Sequence, residues 1–205
     1  MAPSSWMGRF ILVFALIGGS GPLHAADSDA PVEAVWHKQS VNFQYHGFST
    51  YYTCSGLREK LRRILINIGA RETLQLHGYS CSDQGSARFR ITFESPVVAT
   101  AQNVQALTTY SAEELLAART RGEYLPTAQD LPRFPALWKT VSFSRDRRLA
   151  LTPGDCELVE QIRRAILPRL AVEVIHDRLN CSPSGNLRAP RLTVVALVEQ
   201  RQGAL

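Results

Sequence analysis

Four cysteines constrain this chain more than any other feature of its sequence. They lie at positions 54, 81, 156 and 181, so the first two and the last two are separated by similar intervals. Zinc sites usually place ligands two to four residues apart, and thioredoxin-like redox pairs use CxxC. Neither spacing occurs here, and an even number of cysteines leaves no obligatory free thiol. The pattern favours two disulfides, with a four-cysteine metal site assembled across the chain as the alternative.

The first 25 residues have the pattern of a secretory signal peptide. Arg9 precedes an apolar run at residues 10–17, glycines and a proline follow it, and Ala25 and Ala26 are small enough for cleavage. A run of this length is too short to cross a bilayer, which takes about 20 apolar residues, and no later run approaches that length. We predict cleavage near Ala25 and a mature protein that is periplasmic or secreted, where disulfides persist. An uncleaved N-terminal anchor is the alternative.

The chain repeats one order of features around each pair of cysteines. A tryptophan precedes a Val-x-Phe stretch, a cysteine opens an amphipathic helix, an alternating stretch ends in the second cysteine, and a last strand follows. The matched positions are Trp36 and Trp138, Cys54 and Cys156, Arg62-Arg63 and Arg163-Arg164, Cys81 and Cys181, and Arg90 and Arg191. We predict an α+β fold of two tandem βαββ-like repeats, residues 26–98 and 136–205. Both repeats would share one sheet covered on one face by helices. Two unrelated α+β segments are the alternative.

Helix and strand geometry selects the cysteine pairing. The first amphipathic helix would span roughly 20–25 Å at 1.5 Å per residue. The strand that follows returns that distance in seven or eight residues at about 3.3 Å each. Its end therefore lies beside the start of the helix. This predicts disulfides Cys54–Cys81 and Cys156–Cys181.

Residues 99–135 have no counterpart in the repeat and form a connecting segment. Ser111 and Glu114 have the spacing of a capping box, which predicts a short helix that stops at Gly122. Prolines and the aromatic residues Tyr110 and Tyr124 follow or flank it. The apolar content predicts that the segment packs over the sheet. A rim that contacts a partner is the alternative.

The sequence contains no catalytic signature. GxSxG, SxxK, HExxH and phosphate-loop glycine patterns are all missing. His77 and His176 precede the second cysteine of each repeat by four and five residues, and either could serve a metal or proton-transfer site if acids gathered around it. We interpret both as structural or exposed histidines, and predict no metal and no cofactor.

Basic residues on the two helices offer a possible binding face. The chain has 23 basic and 18 acidic residues, a mildly basic balance that permits an anionic partner without requiring one. The candidate residues are Arg58, Lys60, Arg62, Arg63, Arg163 and Arg164. An ordinary solvated helix face is the alternative. Modest charge in an exported protein gives no support to nucleic-acid binding.

These observations favour a non-catalytic binding or accessory protein of the bacterial cell envelope over an enzyme. Its partner would be an envelope protein or an anionic glycan. The contact would use an exposed sheet edge, the connecting segment or the basic helix face. The alternative is a metal-binding protein or a hydrolytic enzyme that uses His77, His176 and neighbouring acids.

Overall fold

Six antiparallel strands form one sheet in the computed structural model, which describes residues 30–82, 86–181 and 189–200. In chain order they are β1 (Val32–His46), β2 (Gln75–Ser82), β3 (Ser86–Val98), β4 (Arg133–Ser142), β5 (Val172–Arg178) and β6 (Arg191–Glu199). The order across the sheet is β2-β3-β1-β4-β6-β5, so β2 and β5 are its edges. The predicted α+β class and the single sheet are confirmed.

Four α-helices accompany the sheet within the described ranges. They are α1 (Cys54–Asn67), α2 (Ala101–Thr108), α3 (Ala112–Arg121) and α4 (Cys156–Ala165). Short 3-10 turns occupy Arg147–Leu149, Pro153–Asp155 and Leu167–Arg169. Below, the first half means residues 30–98, which contain α1, and the second half means residues 133–200, which contain α4.

Helix α1 begins and ends at the signals in its sequence. The Thr53 hydroxyl accepts a hydrogen bond from the amide of Gly56 at 3.1 Å, which satisfies an amide that lacks a partner inside the helix. Gly69, just after the helix, has φ +104°, and a Cβ there would overlap the carbonyl oxygen of Leu197. Only glycine combines that conformation with so close an approach. One face of the helix is fully buried, as its apolar period predicts: Leu57, Leu61, Ile64 and Leu65.

Helix α4 ends before Pro168. Its last residue is Ala165, and Pro168 lies inside a 3-10 turn. Proline has no amide proton, and its ring collides with the carbonyl four residues earlier in an α-helix. The chain therefore leaves α geometry before it reaches the proline.

The main core packs the apolar faces of α1 and α4 against one face of the sheet. Its largest fully buried side chains are aromatic: Phe43, Tyr45, Phe89, Phe93 and Phe143. Strand β6 is buried on both faces over residues 194–197, as the continuous apolar run LTVVALV at residues 192–198 predicts. It lies next to the edge strand β5, however, while β1 and β4 occupy the centre.

The two halves of the sheet meet over a short ladder. β1 pairs with β4 from Val32↔Ala136 to Val35↔Arg133, and each strand then continues without the other. β1 pairs with β3 over almost its whole length. Backbone hydrogen bonds therefore join the strands within each half far more extensively than they join the halves.

The connecting segment contains the predicted helix and one that was not predicted. In α3, Ser111 and Glu114 form the expected capping box, and Gly122 adopts a left-handed conformation at its end. Helix α2 precedes it and is capped by Thr100. β4 begins at Arg133, so the last three residues assigned to the connecting segment belong to the sheet.

The predicted signal peptide, with cleavage near Ala25, lies outside the described residues. Within the part of the chain that the structure describes, no helix is long and apolar enough to cross a membrane.

Candidate functional site

Both predicted disulfides are confirmed. Cys54 and Cys81 have Cα atoms 6.0 Å apart, and Cys156 and Cys181 have Cα atoms 5.5 Å apart. Each bond joins the first residue of a helix to the strand that follows it or to the chain just beyond: Cys81 lies in β2, and Cys181 lies three residues past the end of β5. All four thiols are consumed, so the alternative of a four-cysteine metal site is wrong. Two disulfides are consistent with an exported protein.

A buried carboxylate joins the two halves. Asp155, just before α4, is 1% exposed. It accepts hydrogen bonds from the Lys60 ammonium at 2.8 Å and from the Tyr52 hydroxyl, both in the first half. The amide and hydroxyl of Thr152 donate to it at 2.6 and 2.8 Å. We call Tyr52, Lys60, Thr152 and Asp155 the Asp155 cluster.

In the Asp155 cluster, the interactions favour an ionised Asp155 carboxylate and a protonated Tyr52 hydroxyl. Burial raises the pKa of Asp155, but hydrogen bonds from Lys60, Tyr52 and Thr152 outweigh it and hold that pKa below its usual value. Burial, and then the hydrogen bond to Asp155, raise the pKa of the Tyr52 hydroxyl. A general acid or base works best with a pKa near the operating pH. Because both pKa values move away from neutrality, the cluster suits a structural role.

A second buried acid of the second half, Glu157 on α4, binds a loop of the first half. Glu157 is 7% exposed, and its Oε2 accepts hydrogen bonds from the amides of Phe48 at 2.9 Å and Ser49 at 3.3 Å. One turn later, the Gln161 side chain exchanges two hydrogen bonds with the backbone of His46, at 2.7 and 2.9 Å. Helix α4 therefore holds the backbone where β1 ends.

That loop presents two aromatic side chains to solvent. Phe48 is 78% exposed and Tyr51 is 63% exposed. The Tyr45 hydroxyl donates to the carbonyl of Thr50 at 2.7 Å, and a Cβ at Gly47 would overlap both of those residues. Hydrogen bonds to Tyr45 and Glu157 therefore hold the loop backbone, while the rings of Phe48 and Tyr51 face solvent. We call residues 47–53 the aromatic loop.

Sequence reasoning missed both the Asp155 cluster and the aromatic loop. The available signal for the loop was a pair of aromatic residues in a strand-to-helix turn, Phe48 and Tyr51, where no helix or strand period assigns them to a core. No local signal marked the cluster, because Asp155 is 95 residues from Lys60 and 103 from Tyr52.

Five of the six residues predicted to form a basic helix face bind acceptors within the protein. Lys60 pairs with Asp155, Arg63 with Glu59, Arg163 with Asp177 and Arg164 with Glu160. Arg62 donates to the carbonyls of Glu72 and Leu74 at 3.0 and 3.1 Å. Arg58, the sixth, is exposed on α1. Much of the positive charge on this face is therefore compensated.

The two candidate histidines lie on opposite edges of the sheet. His77 is on β2 and His176 is on β5, and both are exposed. Asp177, beside His176, pairs with Arg163. Across the described ranges, no three His, Cys, Asp or Glu side chains are arranged to hold a metal ion.

A cleft of about 980 Å³ lies where the halves meet and includes Trp36 and Trp138 in its lining. Trp36 stacks on Phe134 with ring centroids 4.5 Å apart, and the Arg71 guanidinium lies over the Trp36 ring, 5.1 Å from its centroid. Arg71 also pairs with Glu94 at 2.9 Å. Because Phe134 and Arg71 already contact the Trp36 ring, the geometry supports a packing role for this tryptophan more than ligand binding.

The connecting segment leaves apolar side chains exposed. Leu116 is 67% exposed and Tyr124 is 73% exposed, so these two side chains do not pack over the sheet, whereas Phe134 of the same segment stacks on Trp36. Internal hydrogen bonds hold the segment instead: the Tyr124 hydroxyl donates to Asp130 at 2.6 Å, and the Tyr110 hydroxyl donates to the carbonyl of Pro126 at 2.7 Å.

Comparison with protein-family models, with curated proteins and with solved structures found no match to this chain. Inference about its function therefore starts from the geometry.

Proposed function

We propose that this protein is an exported, non-catalytic binding or accessory protein of the bacterial cell envelope, and that the aromatic loop contacts its partner. One observation carries the proposal: buried hydrogen bonds fix the backbone of a loop whose aromatic side chains are left in water. The Phe48 side chain is exposed to solvent, although its backbone amide donates a hydrogen bond to the buried carboxylate of Glu157.

A fixed aromatic loop has the properties of a good contact surface. Aromatic side chains dominate the energy of many protein interfaces. A backbone that is already ordered loses less entropy on association. We favour an envelope protein as the partner, because Phe48 and Tyr51 supply apolar area without a formal charge.

Three other surfaces could contact a partner, and the structure supports them to different degrees. The edge strand β5 exposes Val174 and Ile175, and an edge can pair with an extended segment of another chain. The connecting segment exposes Leu116 and Tyr124. The basic helix face has less support, since internal acceptors bind most of its cations. No observation favours the metal-binding or hydrolytic alternative.

We also propose that the chain consists of two tandem βαββ-like repeats. The sheet order supports this, because β1 and β4 are central, β3 and β6 come next, and β2 and β5 are the edges. The central ladder supports it too. In that ladder Ala34 pairs with Phe134, and Val32 pairs with Ala136. Each β4 residue of these pairs lies 102 positions after the β1 residue of the other pair, so the ladder is symmetric between the halves. The same offset relates Cys54 to Cys156.

Site-specific photocrosslinking tests the aromatic loop. A photoreactive phenylalanine analogue replaces Phe48 or Tyr51, and irradiation takes place in cells that produce the protein. We expect a discrete adduct with an envelope protein from both positions. Tyr124, which is 73% exposed in the connecting segment, is the matched control. Adducts of equal yield from Tyr124, or none from the loop, would contradict the proposed contact.

Intact mass tests export. Protein recovered from its compartment without reductant is expected to begin near Ala26 and to be four hydrogens lighter than the reduced chain. A chain that retains residues 1–25 would contradict the predicted cleavage.

A further inference from the structure

A separate groove of about 750 Å³ lies over the second half of the sheet, across β4, β6 and β5. Hydroxyl and basic side chains line it. The hydroxyls belong to Thr140, Ser142, Ser144 and Thr193, and the basic groups to Arg145, His176 and Arg191.

Strand register brings these groups together. Ser142 on β4 and His176 on β5 both lie opposite Thr193 on β6, so the three form one row across the sheet. Leu192 and Val194, on either side of Thr193, are fully buried in the main core. Because side chains alternate along a strand, Thr193 and Arg191 project from the face opposite the helices.

The groove is positively charged. No carboxylate is among its lining residues. The two acids nearest in sequence are engaged elsewhere, since Asp146 pairs with Arg148 and Asp177 pairs with Arg163. Within the described ranges, the guanidiniums of Arg145 and Arg191 form no ion pair.

We propose that this groove binds a tetrahedral oxyanion, a phosphate or sulfate group, either free or as an ester on a larger molecule. Guanidinium forks match the geometry of such anions and form charge-assisted hydrogen bonds with them. Serine and threonine hydroxyls, and an imidazole N–H, supply further donors. This site requires neither the aromatic loop nor a protein partner, so it goes beyond the function proposed above.

The first half contains similar residue types in a different state. Arg90 on β3 lies opposite both Asn42 and His77. Its Nε donates to Asn42 Oδ1 at 3.4 Å, and the hydroxyls of Ser40 and Thr92 contact each other at 3.4 Å. The Ser142 and Ser144 hydroxyls of the groove also contact each other, at 3.3 Å, so the two halves differ in their arginines and not in their hydroxyls. Arg90 already has an acceptor in Asn42, so Arg90 and His77 provide matched controls.

The test is an NMR titration of the full mature protein with sodium phosphate at constant pH and ionic strength, with chloride as the replaced ion. We expect a saturable shift of the His176 ring and the Thr193 amide, with a dissociation constant on the order of 1 mM, since each charge-assisted hydrogen bond contributes modestly. The His77 ring should not move. Arg191→Gln should weaken binding about tenfold, while Arg90→Gln should leave it unchanged.

Glucose 6-phosphate forms a second arm of the titration. Tighter binding than inorganic phosphate would indicate an oxyanion carried by a larger molecule, and the opposite order would indicate a free anion; both keep the proposal. Shifts that never saturate, that move His77 equally, or that persist unchanged in Arg191→Gln would overturn it. Arg145→Gln replaces Arg191→Gln if that variant does not fold by circular dichroism.

Discussion

Replacing Lys60 with methionine is expected to lower the free energy of unfolding by about 2–3 kcal/mol. The substitution removes the ammonium 2.8 Å from Asp155 and keeps most of the side chain's length. Loss of one partner from a buried ion pair typically costs about 3–5 kcal/mol, because the other charge stays buried without compensation. The Lys60 side chain is 24% exposed, so solvent already screens part of the interaction, and the lower value follows.

Urea unfolding at neutral pH, with both disulfides intact, measures this loss. The matched control is Arg63→Met, which removes a cation from the same helix. Arg63 pairs with Glu59 at the surface, where the two side chains are 40% and 60% exposed. Such pairs contribute about 0.3–0.5 kcal/mol, so the control should change little. The reasoning is refuted if both variants lose the same stability, or if Lys60→Met and Asp155→Asn are additive when combined.

The same contact has a defined pH dependence. Because the folded state lowers the pKa of Asp155, its contribution to stability is present above the unfolded pKa, near 3.8, and is lost as pH falls through the lower folded value. The wild type should therefore lose stability in acid, and Asp155→Asn should lose less over the same window. Urea midpoints measured from neutral pH down to pH 3 give the comparison. Parallel curves for the two proteins would contradict the assignment.

Three further perturbations have expected outcomes. Cys54→Ser should leave Cys81 as a free thiol and lower stability by about 3–4 kcal/mol; thiol labelling and urea unfolding test this, and labelling of another cysteine would contradict the pairing. Gly69→Ala should destabilise by more than Gly122→Ala, for which about 1 kcal/mol is expected, because both have positive φ but a Cβ only at Gly69 meets backbone. Thermal unfolding compares them, and equal losses would exclude the close approach. Glu157→Ala should cost about 1–3 kcal/mol, since it leaves two loop amides without their acceptor; faster hydrogen exchange at those amides checks the cause, and unchanged exchange would contradict it.

The features that the sequence predicted well are those with local signals. The start of α1 follows from a cysteine that opens an amphipathic pattern, which adjacent positions specify. The disulfides required one additional step, the return of a strand along its helix, and known lengths per residue supplied it. Ser111 and Glu114 identified α3 in the same way, because a capping box lies within four residues.

The features that escaped prediction depend on distant neighbours. Helical period placed Lys60 on the polar side of α1, but it does not reveal that Asp155 lies beside it. Helical period therefore does not show that Lys60 is paired within the protein. Pro135 made the start of β4 resemble a loop. Its carbonyl points to the β6 side of β4, where it accepts from the amide of Gln200 at 2.9 Å. The N–H and C=O of a strand residue point the same way, so the missing amide proton of Pro135 takes no hydrogen bond from the β1–β4 ladder.

The placement of the disulfides also determines how the chain behaves once its backbone is cut. Each covalent crosslink closes within one half, and neither crosses to the other. A proteolytic cut in the exposed turn after Gly122 would therefore create two separate covalent molecules, although both crosslinks remain intact. The short β1–β4 ladder, the Asp155 cluster, the hydrogen bonds of Glu157 and Gln161 to the backbone of residues 46–49, and side-chain packing would keep them together. Such a nicked protein would migrate as one species in native electrophoresis and as two in denaturing electrophoresis without reductant.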